Sequence, residues 1–162
     1  MKASDSTPFQ QTRFKSIQAE THPYCLVCSQ SNPFGLGLKF ACEPDGSVAA
    51  TFLGHPALEG FEGLLHGGMI ASLLDGAMTN CLFAHGCVAM TGGLNVRYRE
   101  PVVIGEEMRV RAWIKRSLPP LHLLAAELKQ GGRVKATAAA KFMERPGSGE
   151  ITLRPNVSKS RG

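Results

Sequence analysis

One long apolar helix, set among strand-like segments, limits what this chain can fold into. Between His66 and about Ala84 the apolar side chains recur at spacings of three and four, which is the period of an α-helix. They are Met69, Ile70, Leu73, Leu74, Ala77, Met78, Cys81 and Leu82. The apolar stripe is broad, so we expect the helix to be mostly buried.

Segments with the composition of β-strands lie on both sides of this helix. They are residues 36–42 and 47–53 before it, and residues 88–99, 108–117, 121–129 and 133–143 after it. Glu43-Pro44-Asp45-Gly46 is a turn sequence between the first two, and Gly131-Gly132 is a hairpin turn between the last two. This order predicts the α+β class, with an antiparallel sheet folded around the helix.

The chain of 162 residues is long enough for one domain with its own core, which we assign to residues 21–145. Residues 1–20 are polar and lack a sustained period, so we predict a flexible or loosely docked arm. Residues 146–162, rich in Gly, Ser and Pro, are predicted to form a flexible tail. The chain shows neither a secretory signal nor a run of about 20 apolar residues, so we expect a cytoplasmic protein without a membrane partner.

The formal net charge of +5 is compatible with a polyanionic partner. Dense basic runs, zinc fingers and RNA-binding aromatic motifs are absent from the sequence, so we expect no nucleic-acid partner. A phosphate-bearing small molecule such as coenzyme A suits the modest excess of positive charge.

An odd number of cysteines without a secretory signal argues against a disulfide framework. They are Cys25, Cys28, Cys42, Cys81 and Cys87. Cys25-Leu-Val-Cys28 has the spacing of metal ligands, and His22 and Cys42 could complete a tetrahedral zinc site. Reduced, partly buried thiols are the favoured interpretation, and we expect no metal.

The start of the predicted helix, His66-Gly67-Gly68, has features of an oxyanion site. A helix start leaves backbone N–H groups unpaired and concentrates positive potential there. Glycines let a carbonyl or phosphate oxygen approach these groups closely. The alternative is that Gly67 and Gly68 only let the helix pack against a strand.

Asp75 is out of place in the interior of so apolar a helix, because aspartate is a poor helix former there. It lies too far in to cap the helix, and it shares a narrow polar stripe with Ser72, Gly76 and Thr79. Partial burial would raise its pKa and make it a better base. The alternative is an exposed aspartate on a solvated face.

Gly67 and Asp75 are eight residues apart, which is about 12 Å along a helix at roughly 1.5 Å per residue. Both must come within about 3–4 Å of the same reacting group. One helix cannot satisfy this, whereas two antiparallel copies can. The chemistry therefore predicts a two-fold homodimer with two shared sites.

Polar residues alternate with apolar ones along the strand after the helix, which predicts one polar face. The face comprises Thr91, Gly93, Asn95, Arg97 and Arg99. Thr91 is a candidate to orient a water or the carboxylate, and the arginines, with Lys115 and Arg116, to bind coenzyme A phosphates. The alternative for the cations is a solvated surface.

The run from His66-Gly67-Gly68 to Asp75 resembles the signature of hotdog-fold acyl-CoA thioesterases of the phenylacetyl-CoA thioesterase-like branch. Residues 25–28 together with residues 32–36, Asn-Pro-Phe-Gly-Leu, are similar to the N-terminal motif of one subgroup of that branch. Residues 91–101 are similar to that subgroup's strand after the helix. The resemblance extends from about residue 23 to residue 144.

The resemblance implies a hotdog fold, in which the sheet wraps the helix, and subunits that form dimers and often dimers of dimers. By position, Asp75 would be the base or nucleophile acting across the dimer, and the Gly67 N–H would polarise the thioester carbonyl. Thr91 would assist the attacking water and His66 would shape the helix start. The chain departs from the pattern at Gly60, where some members carry an asparagine that contacts the thioester.

The predicted function is hydrolysis of an acyl-CoA thioester to a free acid and coenzyme A, without a separate cofactor. A non-catalytic acyl-CoA-binding protein on the same fold is the alternative. A hydratase is a third hypothesis, since hotdog proteins also host that chemistry, but the sequence lacks the Asp-x-x-x-x-His pairing expected for it.

Overall fold

The computed structural model describes residues 8–144. The helices are α1, Pro8–Thr21, and α2, Gly67–Ala84, with a short 3-10 turn at Pro56–Leu58. The strands are β1 (Ala41–Cys42), β2 (Val48–Leu53), β3 (Ala89–Tyr98), β4 (Glu107–Leu118), β5 (Leu121–Gln130) and β6 (Arg133–Glu144). Among the described residues, no helix is both long and apolar enough to cross a membrane.

The strands form one six-stranded sheet in the order β1-β2-β4-β5-β6-β3, with antiparallel neighbours throughout. The helix α2 packs against five of these strands, so the sheet curves around it. The predicted α+β class and the antiparallel sheet around one helix are confirmed. The first predicted strand, residues 36–42, is paired only at Ala41 and Cys42.

The core lies between α2 and the inner face of the sheet. Leu73, Leu74 and Met78 of α2 are fully buried, and Leu128 and Phe142 face them from the sheet with no exposed surface. Burying each such side chain stabilises the fold by about 1.5–3 kcal/mol. The prediction from the three-and-four spacing, that α2 is mostly buried, is therefore confirmed.

The predicted hairpin turn joins β5 to β6. Gly131 and Gly132 have φ angles of 57° and 75°, the left-handed values that a two-residue turn of this kind requires. Glycine adopts them without a steric penalty. The turn fixes the pairing of β5 with β6 and hence the position of the outermost strand, β3.

The prediction of a flexible or loosely docked arm over residues 1–20 is wrong from Pro8 onward. Pro8–Thr21 forms α1, and Phe14 and Ile17 are 1% and 6% exposed, packed into the common core. Two apolar residues are too few to give a periodic signal, yet they are enough to dock the helix. The predicted tail, residues 146–162, lies outside the described residues.

Candidate active site

The start of α2 is capped by its own preceding side chain. His66 is the N-cap residue, and its Nδ1 accepts a 2.9 Å hydrogen bond from the Gly68 N–H. The Gly68 N–H is therefore already bonded to His66. This contradicts the prediction that Gly68 binds substrate through its N–H. The Gly67 N–H has no acceptor within the described part of the chain, so it can polarise a carbonyl oxygen.

Tyr98, at the end of β3, lies against the same helix start. Its hydroxyl donates a 2.8 Å hydrogen bond to the Gly67 carbonyl oxygen. The two residues belong to a cavity of about 320 Å³ whose lining includes Phe61, Leu64, Gly67, Ile70, Tyr98 and Arg99. Tyr98 is not among the predicted site residues, because the alternation along β3 groups it with Leu94 and Val96 on the apolar face. Its hydroxyl, at the end of the strand that follows the helix, was the available signal.

Asp75 lies further along α2 and faces β3. Its Oδ1 accepts a 2.7 Å hydrogen bond from the Thr91 hydroxyl. Burial raises the pKa of Asp75 above its ordinary value, and the Thr91 hydrogen bond partly offsets that rise. The predicted roles of both residues thus have a geometric basis: a half-buried carboxylate is held at one oxygen by a hydroxyl.

A β-bulge between Thr91 and Gly93 divides the predicted polar face of β3. Thr91 is paired with Phe142, which is buried, and Asn95 is paired with Ala139, which is exposed. Directly paired residues point to the same side of a sheet. Thr91 therefore faces α2, while Asn95 faces away from it.

The prediction of one continuous polar face is thus wrong. One extra residue reverses the alternation, so Arg97 lies with Asn95 on the outer side and Tyr98 lies with Thr91 on the helix side. Arg99 follows the end of the strand and lines the cavity at the helix start. Sequence alternation alone cannot reveal a bulge, although Gly92 in mid-strand was a possible indication.

Several of the predicted phosphate-binding residues do come together on the outer side of the sheet. A cavity of about 700 Å³ is lined by Asn95, Lys115 and Arg116, together with Lys141, which the sequence argument did not single out. Arg97 is not part of its lining. Three cations around one cavity suit a phosphate-rich ligand.

The residues of the polar stripe of α2 do not all belong to the candidate site. Gly76 allows the loop before β1 to approach, because a β-carbon there would lie 2.7 Å from Cγ1 of Val27. Ser72 donates from its hydroxyl to the Gly68 carbonyl, within the helix. Thr79 is 7% exposed. Of the stripe, Asp75 alone is bonded to β3 through a described hydrogen bond.

Gly60 lies directly against the helix cap. A β-carbon at this position would be 3.1 Å from Cα and 3.2 Å from Cδ2 of His66. The close approach explains why a glycine fits here. A side chain here would require His66 to shift slightly, so the departure at Gly60 is coupled to the way this helix start is built.

Three of the four candidate zinc ligands are brought together. One donor atom from each of His22, Cys25 and Cys28 lies within 4.8 Å of the other two, and Cys42 is not in this group. A hydrogen bond from Cys28 lowers the pKa of Cys25, whereas burial raises the pKa of Cys81 to about 12. Cys25 and Cys81 are therefore thiols of different character.

Part of this chain is similar in sequence to known thioesterases. A sequence model of the thioesterase superfamily matches residues 62–117, which contain the start of α2, Asp75 and Thr91. Acyl-coenzyme A thioesterase THEM4 of Bos taurus is 37% identical over 91 residues, covering 54% of this chain and 37% of that protein. The chain thus spans little more than a third of the length of this relative.

Solved structures share the fold. The Escherichia coli PaaI protein from the phenylacetic acid degradation operon superposes with a TM-score of 0.69 at 15% identity, over 85% of this chain and 100% of that one. A Streptococcus mutans protein bound to acetyl-CoA superposes with a TM-score of 0.63 at 16% identity, over 67% and 88% of the two chains. The fold is therefore the hotdog fold, as predicted.

The fold and the site define a class: hotdog proteins that carry a carboxylate on the wrapped helix. The matched segment, residues 62–117, contains both the helix start and that carboxylate and is similar to the thioesterase superfamily.

Proposed function

We propose that this protein is an acyl-CoA thioesterase. The observation that carries the proposal is the Asp75 carboxylate, half-buried and bonded to Thr91, on the same helix as the unpaired Gly67 N–H. A positioned base and an oxyanion donor are the two groups that acyl transfer needs most. A protein that only bound acyl-CoA would have no need of a carboxylate next to the acyl group.

In the proposed reaction, a water oxygen forms a bond to the thioester carbonyl carbon. Asp75 accepts a proton from that water through the carboxylate oxygen that Thr91 leaves free. The Gly67 N–H stabilises the negative charge that develops on the carbonyl oxygen. The carbon–sulfur bond then breaks, the coenzyme A sulfur leaves and takes up a proton, and the free acid is released.

The two groups act on one substrate only if two chains contribute. Gly67 and Asp75 are eight residues apart on α2, or about 12 Å along the axis. The strand β3 ends the sheet and pairs only with β6 among the described strands, and its Leu94 and Tyr98 are 38% and 53% exposed. An open, partly apolar edge of this kind suits pairing with a second copy.

The coenzyme A portion is assigned to the outer cavity. Lys115, Arg116 and Lys141 line it, and three cations match the phosphate groups of coenzyme A. Two comparisons support this substrate class: the bovine relative is named for acyl-coenzyme A hydrolysis, and the Streptococcus mutans protein was solved with acetyl-CoA. The acyl group itself is to be found with a panel of short, long and aromatic acyl-CoA thioesters.

A mixing experiment tests both the roles and the shared site. Asp75→Asn removes the base, and Gly67→Pro removes only the N–H, since proline suits the first position of a helix. The preceding residue, His66, already has the extended conformation that proline requires of its neighbour, with φ −59° and ψ 135°. Each variant alone should be inactive in a thiol-release assay.

Unfolding and refolding the two variants together should restore about a quarter of wild-type activity. Half of the dimers are then mixed, and each mixed dimer has one intact site of two. Asp45→Asn, a change of the same kind in the turn before β2, is the control and should keep full activity. Full activity in Asp75→Asn would refute the proposed function, and an inactive mixture of folded variants would refute the shared site.

A further inference from the structure

His22, Cys25 and Cys28 form a compact cluster beside the catalytic helix that the proposed reaction does not use. The three donor atoms lie within 4.8 Å of one another, and Cys28 is 3% exposed. The Cys28 sulfur is 3.8 Å from Nδ1 of His22. The three donor atoms converge on each other at the edge of the core, to which Cys28 belongs and against which Cys25 packs.

The spacing of these atoms matches that of metal ligands. With zinc–sulfur bonds of about 2.3 Å and zinc–nitrogen bonds of about 2.0 Å, tetrahedral geometry places sulfur and nitrogen donors roughly 3.5 Å apart and two sulfurs roughly 3.8 Å apart. The measured 3.8 Å between Cys28 and His22 is close to the first value. From the upper bound of 4.8 Å, the other separations need to shorten by roughly 1.3 Å or less, a movement that side-chain rotation supplies.

The surroundings hold the ligands in place. The Val27 N–H donates a 3.4 Å hydrogen bond to the Cys25 sulfur, and the His22 ring is held edge-on against Phe83, with 4.9 Å between centroids. Supporting contacts of this kind orient metal ligands in proteins.

We propose that His22, Cys25 and Cys28 bind one Zn²⁺ ion, with water in the fourth position. Two thiolates and an imidazole are a donor set that favours zinc over oxygen-seeking cations. Binding forms two zinc–sulfur bonds and one zinc–nitrogen bond, and any thiol protons pass to solvent. The ion would fasten the loop that follows α1 onto α2, where Val27 contacts Gly76, the residue after Asp75.

A second cluster, Cys87, His122 and Glu144, is the comparison within the same chain. There both ring nitrogens of His122 are already engaged, Nδ1 with Ser117 at 2.9 Å and Nε2 with Glu144 at 2.8 Å. The polar groups of that cluster are therefore already paired with one another or with Ser117 by hydrogen bonds. Cys87→Ser is therefore a control that removes a cysteine from a similar triad without affecting the proposed zinc site.

The test uses the full chain, reduced and stripped of metal, without any thioester, so its outcome does not depend on the proposed hydrolase activity. Titration with Zn²⁺ against a chromophoric chelator should give about one ion per chain. Cys25→Ser and Cys28→Ser should each lose this binding, while Cys42→Ser and Cys87→Ser should keep it. Zinc should also raise the midpoint of thermal unfolding in the wild type but not in Cys25→Ser.

Cobalt gives a readout on the wild-type protein alone, in case a variant fails to fold. Co²⁺ should produce thiolate-to-metal charge-transfer bands and the visible absorption of a tetrahedral ion. Absence of both bands, retention of zinc by folded Cys25→Ser, or loss of zinc in folded Cys87→Ser would each overturn the proposal. So would a reduced protein that binds no zinc and merely forms a Cys25–Cys28 disulfide in air.

Discussion

The Thr91 hydroxyl donates a 2.7 Å hydrogen bond to Asp75 Oδ1 and so joins β3 to the middle of α2. Two opposing effects meet at this carboxylate: burial raises its pKa, and the hydrogen bond lowers it again in part. The bond also occupies one carboxylate oxygen, which leaves the other for a water. Thr91 therefore affects both the charge of Asp75 and the direction in which it can accept a proton.

Replacing Thr91 by valine should move the acid limb of the pH–rate profile to higher pH. Asp75 acts as a base only when ionised, so the rate falls as the pH drops below its pKa. That pKa already lies above the ordinary value of 3.8, and the valine removes the hydrogen bond that lowers it. Measuring kcat against pH gives the shift; Thr91→Ser keeps a hydroxyl and should follow the wild type. If the acid limb of the Thr91→Val profile did not move, the Thr91 hydrogen bond would have no effect on the ionisation of Asp75.

Asp75→Asn should raise the thermal midpoint of the protein at neutral pH. An acid whose folded-state pKa is raised contributes stability that is present below the unfolded value of 3.8 and is lost as the pH rises through the folded value. Asparagine does not ionise, so the variant does not lose this stability, and it still accepts the Thr91 hydrogen bond. The thermal midpoint of Asp75→Asn should therefore exceed that of the wild type by an amount that grows between about pH 4 and 8.

Asp45 supplies the matched comparison with the opposite sign. Hydrogen bonds from Ser47, with Arg111 nearby, lower its pKa. The stability that Asp45 contributes is present above its unfolded-state pKa and is lost as the pH falls through its folded-state pKa. Asp45→Asn should therefore lower the midpoint at neutral pH, and the two variants should diverge. A midpoint that falls in Asp75→Asn as well would contradict the burial argument.

The central helix and the positions of the strands along the chain were predictable because both depend on local periodicity and on turn chemistry. The apolar residues of α2 mark its buried face, and Gly131-Gly132 marks the turn between β5 and β6. His66 was placed correctly at the cap because glycines follow it. Asp75 was recognisable since aspartate is unfavourable in an apolar helix.

The errors arose where tertiary contacts override local pattern. The bulge after Thr91 is fixed by pairing with β6, and nothing in the alternation of β3 encodes that register. The docking of α1 depends on Phe14 and Ile17 finding a place in a core built by distant residues. The occupation of the Gly68 N–H by His66 depends on a side-chain rotamer, which sequence does not specify.

Arg116→Ala should weaken binding of the coenzyme A portion without slowing the chemical step. Arg116 lines the outer cavity, whose lining does not include Asp75, so in the proposed complex it would contact phosphate and not the reacting carbonyl. Losing one charge-assisted hydrogen bond, worth about 1.5–3 kcal/mol, should raise KM about tenfold or more and leave kcat nearly unchanged. Steady-state kinetics with the best acyl-CoA of the panel measures both constants.

Two controls define what a positive result for Arg116 means. The same acyl group on N-acetylcysteamine has no phosphates, so its turnover should be equal in Arg116→Ala and the wild type. Lys129→Ala removes a cation that is paired with Glu127, outside this cavity, and should leave KM for acyl-CoA unchanged. A fall in kcat with both substrates would place Arg116 in the chemistry and contradict the assignment.

His66→Ala should destabilise the protein and reduce turnover, because it removes the acceptor of the Gly68 N–H at the start of α2. Loss of an N-cap side chain costs about 0.5–2 kcal/mol, which denaturant unfolding resolves. Asparagine is a good N-cap residue, so His66→Asn should recover most of the stability. It should also recover most of the turnover if His66 acts by ordering the helix start that presents the Gly67 N–H. A stable but inactive His66→Asn would instead assign the imidazole a direct part in catalysis.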